Sequence, residues 1–137
     1  MPGKNVGEYS WRYMTPMTQL RSVAASGDTY SQAALDSLVP SIEFHDSLTA
    51  AYDNALTLAL LMPATATAAT VEVYVDTKAV DGAGVPITAN RWCLAKTQTF
   101  VKSSTIMFRD VPAGTLKVLV TGIAGSGTVV LCWSKSK

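Results

Sequence analysis

Leu116-Lys117-Val118-Leu119-Val120-Thr121, then Gly122-Ile123-Ala124-Gly125-Ser126-Gly127, then Thr128-Val129-Val130-Leu131-Cys132-Trp133, is the stretch whose reading decides the fold. Leu116, Val118 and Val120 alternate with Lys117, Leu119 and Thr121, and Val129, Leu131 and Trp133 alternate again beyond the glycines. Period two is the signature of a strand with one buried face. If Thr121 faces Thr128, then Val120 meets Val129, Val118 meets Leu131 and Leu116 meets Trp133. The expectation is an antiparallel hairpin with these six side chains on one buried face.

The same alternation recurs upstream. Ile42 and Phe44 share a face, as do Leu56, Leu58 and Leu60, and Val71, Val73 and Val75. Strands are expected near residues 42–46, 55–61, 70–77, 91–95, 98–102, 104–109, 115–121 and 128–134, with a loop over 63–69. Short strands separated by Gly, Pro and Thr turns argue for a sandwich or barrel. Eight of them in two sheets fit a jelly-roll-like antiparallel β-sandwich, with an immunoglobulin-like sandwich as the alternative. Thr18 to Ala24 reads as a strand, and Ser31 to Leu38 as a short helical turn ended by Pro40.

Residues 1–16 read as an extended N-terminal arm and residues 17–137 as a single domain. The arm carries Tyr9, Trp11 and Tyr13 at strand spacing, followed by Met14 and Met17. Such a segment wants a surface. It docks either on its own domain or on another chain. The faces opposite the main stripes are also apolar, with Tyr74, Leu119 and Val130 among them. Either other parts of this chain cover them or they form a subunit interface.

The chain has 137 residues, 48% of them hydrophobic and only 15% charged, with a net charge of +1. About two thirds of its unfolded surface can be buried at this length, so a core needs no staples. The composition excludes a disordered chain, and no apolar run is long enough for a membrane helix. No large field favours nucleic acid or a membrane surface. Charge is nonetheless segregated. Residues 41–76 hold five acids and no base, while residues 77–137 hold eight bases and two acids. Either the halves interleave in one fold or opposite faces meet between subunits.

Candidate chemistry is sparse. His45 is the only histidine, and its neighbour Asp46 would point to the other side of a strand, so no triad forms. Cys93 and Cys132 are too few and too far apart for a zinc site, and are expected as free thiols. Asp53, Asp76 and Asp81 lack calcium-loop spacing. The glycines of 122–127 join two strands rather than opening a helix, which excludes a dinucleotide loop. No catalytic residue, metal or cofactor is expected. No leader-like segment opens the sequence, and an intracellular life is expected.

Phe108-Arg109-Asp110-Val111-Pro112-Ala113-Gly114-Thr115, running into the Leu116–Val120 strand, is similar to strand–turn–strand segments of phage and cell-surface β-sandwiches. With its aromatic arm and Thr/Ala/Gly-rich domain, the chain resembles the cement or decoration proteins of tailed-phage capsids. The resemblance implies a non-enzymatic virion protein, assembled in the host cytoplasm. Its partner would be the major capsid protein or another virion protein, and it would be a homo-oligomer, a dimer or trimer. Alternatives are a neck or tail component, or a carbohydrate-binding module with Trp92 or Tyr74 as its aromatic platform.

Overall fold

Alternating apolar positions dictate strands, and in the computed structural model almost all of them form. The structure describes residues 16–44, 55–109, 111 and 114–136. Among these described residues the elements follow in order: β1 (Thr18–Val23), β2 (Ser26–Gly27), α1 (Gln32–Ser37), β3 (Ile42–Phe44), β4 (Ala55–Leu61), β5 (Ala66–Asp76), β6 (Trp92–Phe100), β7 (Ser104–Arg109), β8 (Gly114–Gly125) and β9 (Val129–Ser136). Sheet A has the order β1-β9-β4-β7. Sheet B has the order β2-β8-β5-β6, with β3 also paired to β8. All pairings between the strands are antiparallel.

The pairing follows a simple rule. β5 pairs β6, β4 pairs β7, β2 and β3 pair β8, and β1 pairs β9. That is one long two-stranded ribbon folded at the β5–β6 connection. The ribbon is then rolled, so that β9 also meets β4 and β8 also meets β5. A ribbon rolled into two facing sheets is the jelly-roll form of the β-sandwich.

The expected hairpin between β8 and β9 does not exist. The two strands lie in different sheets, and Ser126-Gly127-Thr128 carries the chain from one sheet to the other. Val118 pairs with Val73 and Leu131 with Leu60, not with each other. All six stripe residues still meet in the core. Leu116, Val118, Val120, Val129 and Leu131 are buried, and Trp133 packs against them. They face one another across the sandwich instead of lying side by side. The apolar alternation is the same in either arrangement, because both bury the stripe.

Two boundaries also differ. Residues 92–100 form one strand where two are expected, and β5 begins at Ala66, inside the expected loop. Ala66 and Ala69 are buried, and Ala66 pairs with Gly125. Gly125 has φ +89°, and a Cβ there would collide with the Thr65 carbonyl. Small side chains let this end of the ribbon close, which composition alone reads as loop. The short helix forms where expected. Ser31 caps it by accepting from the Ala34 N–H at 2.9 Å.

Candidate interaction surface

The part of the outer face of sheet B around Tyr74, Trp92 and Leu119 is covered by the chain itself. Leu35 of α1 packs onto Tyr74, Trp92 and Leu119 in a second buried cluster. Trp92 Nε1 donates to Asp36 at 2.7 Å. The Gln32 amide pairs with the backbone of Trp92, donating to its carbonyl at 2.9 Å and accepting from its N–H at 3.0 Å. Lys117 crosses beneath the helix end, donating to the Leu38 carbonyl at 2.6 Å with its ammonium over the Trp92 ring. Tyr74 and Leu119 therefore do not face a neighbouring subunit as expected, because α1 buries them. Trp92 is 3% exposed and Tyr74 6%, so neither offers the platform a carbohydrate-binding module needs. The segregated charges interleave here. Arg91 pairs with Asp36 at 3.2 Å and Asp76 at 3.9 Å.

Burial has electrostatic consequences at this cluster. Tyr74 is pushed far above its ordinary value of 10.0, first by desolvation and then by its hydrogen bond to Glu72. Lys117 is pushed below its ordinary 10.5, first by desolvation and then by Arg91. Above pH 10 the folded chain keeps a tyrosine proton that the unfolded chain has lost, so stability falls as pH rises. Lys117 works the other way: unfolding takes up a proton between its lowered value and 10.5, so stability rises with pH there. Tyr74→Phe should remove most of the alkaline loss, leaving a urea midpoint that declines less than wild type from about pH 10 to 11. An unchanged decline would show that Tyr74 does not carry it.

The outer face of sheet A is different. Across its rows, Val130 pairs with Leu61 and Ser22. Cys132 pairs with Gln19 and with Ala59, which pairs with Thr105, and Ser134 pairs with Thr57, which pairs with Met107. Ala55 pairs with Arg109, the only charge among these residues. A one-sided antiparallel sheet normally turns a polar face to water. Here Leu61 and Met107 are about half exposed, at 49% and 52%, and Val130 and Cys132 are half-buried. Of the expected interaction residues, Val130 lies on this face and Met17 lies half-buried just before β1, its edge strand. Tyr9, Trp11, Tyr13 and Met14 lie outside the described residues, as do His45, Asp46 and Asp53.

A third feature was not foreseen. Strands β6 and β7 end their respective sheets on the same side of the roll, and the gap between them is open. Two adjoining cavities of about 300 and 390 Å³ lie along it. The first is lined by Val73, Lys96, Phe108, Arg109 and Leu116, and the second by Phe100, Lys102 and Ile106 among others.

The other carboxylates of interest are used locally. Asp81 accepts from the Ala83 and Val85 N–H groups in its own turn, and Asp76 from the Lys78 N–H. Among the described residues no group of His, Cys, Asp and Glu is placed to hold a metal ion. Cys93 is exposed, Cys132 half-buried, and both are unpaired. Compared with family models, curated proteins and solved structures, the chain matches none.

Proposed function

We propose that the protein is a non-enzymatic structural subunit of a virion, a cement or decoration protein that binds a tailed-phage capsid through protein–protein contacts. One observation carries this reading: the outer face of sheet A is a broad sheet surface of Ala55, Ala59, Leu61, Met107, Val130 and Cys132 with uncharged Thr, Ser and Gln between them and one charge. Such a face is suited to lie against another protein, since its burial removes apolar area from water without stranding ions. In sequence, residues 1–16, read as the arm, lead into β1, an edge of that same sheet among the described residues, so this reading joins arm and face in one contact. The partner is the major capsid protein or another virion protein, and the subunit binds as a dimer or trimer.

The test uses purified particles and recombinant chain. The chain should sediment with capsids on a density gradient. A Leu61→Glu/Met107→Glu variant, folded by circular dichroism, should stay at the top. Both positions are about half exposed, so the domain tolerates the charges while the contact does not. Removing residues 1–16 should weaken the association as well. A wild-type chain that never sediments with particles would sink the reading.

A further inference from the structure

The inner face of β6 is not a core face. Its positions opposite Val75, Val73, Val71 and Ala69 are Cys93, Lys96, Gln98 and Phe100, and of these only Phe100 is buried. Their four partners on β5 are core or packed against it. The apolar layer therefore stops between β5 and β6, leaving a cleft walled by Phe108 and Ile106 of β7. An extra residue, Ala95, bulges β6 at that point, because Val73 faces Lys96 while Tyr74 faces Leu94.

Among the described residues that line the cleft, the charged ones are Lys96, Lys102 and Arg109, all basic. None of the three forms an ion pair among the described residues. Lys96 instead holds its ammonium 5.9 Å from the centre of the Phe108 ring. A bulge and an inward lysine also protect a free edge from pairing with copies of itself. That reading accounts for β6. It leaves unexplained the two cavities, the further cations Lys102 and Arg109, and β7, whose free edge carries neither device.

We propose that this cleft seats an extended acidic segment of a partner protein, added as a strand at the edge of β7 that is free among the described residues. A strand there extends sheet A across the mouth of the cleft. Its backbone satisfies the β7 edge, and its alternate side chains face Lys96 and Gln98. Complementarity then asks for carboxylates on that inner side, one against Lys96 and another toward Lys102, with an apolar residue between them over Phe108 and Ile106. In strand spacing this is acid, any residue, apolar, any residue, acid. The assignment goes beyond the virion reading, and its test uses no virion, so either can fail alone.

The probe is the peptide acetyl-Thr-Glu-Thr-Val-Thr-Glu-Thr-amide, titrated into the isotope-labelled full chain. Amide shifts should concentrate in residues 93–109. Replacing both glutamates of the peptide by glutamine should weaken binding about tenfold or more, and so should Lys96→Glu/Lys102→Glu in the protein. The charge-reversed protein should instead bind the peptide with lysines in place of glutamates. Both substituted residues are exposed, and circular dichroism confirms that the variant folds. Four results would overturn the proposal: shifts spread over other strands, indifference to charge reversal, equal perturbation by decanoate alone, or self-association through β7 in sedimentation without peptide.

Discussion

Replacing Asp28 by alanine should destabilise the domain by about 3 kcal/mol or more, read as a lower urea midpoint at unchanged slope. Arg21 stands on β1 in sheet A. Its guanidinium donates to both Asp28 carboxylate oxygens, at 3.1 and 2.6 Å, and to the Val118 carbonyl at 2.8 Å. Asp28 in turn accepts the Val120 N–H at 2.8 Å. Both Val118 and Val120 belong to β8, so the pair ties one sheet to the other at the edge opposite the cleft. The side chains are 14% and 19% exposed, and water screens the pair only weakly. Without Asp28, a largely buried guanidinium loses its counter-ion and a strand N–H loses its acceptor. Both are uncompensated desolvation costs. The double variant Arg21→Leu/Asp28→Asn should recover part of the loss, because it strands no charge. If Asp28→Ala costs under about 1 kcal/mol, the pair behaves as an ordinary surface ion pair and the latch does not exist.

Trp92→Ala should cost about 3–5 kcal/mol, the range for truncating a large buried aromatic. The loss has several physical sources. Trp92 fills the space among Leu35, Tyr74 and Leu119, donates to Asp36, and has the Arg91 and Lys117 cations each 5.2 Å from its ring centre. Without the ring, α1 loses what it packs on. A six-residue helix does not persist alone in water, since nucleation is costly and few bonds repay it. Amide exchange in residues 32–37 should therefore accelerate more than exchange in β8. Trp92→Phe keeps most of the apolar volume and loses the Asp36 bond, so its cost should be smaller. Equal acceleration of exchange across α1 and both sheets in Trp92→Ala would mean that α1 is not a separable layer.

Alternation along the chain is enough to set the fold class. Period-two stripes at 42–44, 56–60, 71–75, 116–120 and 129–133 have no helical reading, and each of them is buried in the core. The local sequence also determined the short helix, through Ser31 and Pro40 on either side of an Ala/Leu turn, and the scarcity of chemistry-bearing residues. Partnership was beyond its reach. A stripe says that a face is buried and is silent about what buries it. Val118 and Leu131 therefore fitted a hairpin as well as they fitted two opposed sheets, and only the rolled ribbon chose between them. The same silence applied to the second faces. Tyr74, Leu119 and Val130 carry one pattern, yet α1 folds over the first two and leaves Val130 on the outer face of sheet A. The latch and the cleft were further out of reach. Arg21 meets β8 from 97 residues away in the chain. Lys96 borders a cavity only because β6 and β7 end their sheets on the same side. Contacts of that kind depend on how the ribbon rolls, and local alternation carries no information about the roll.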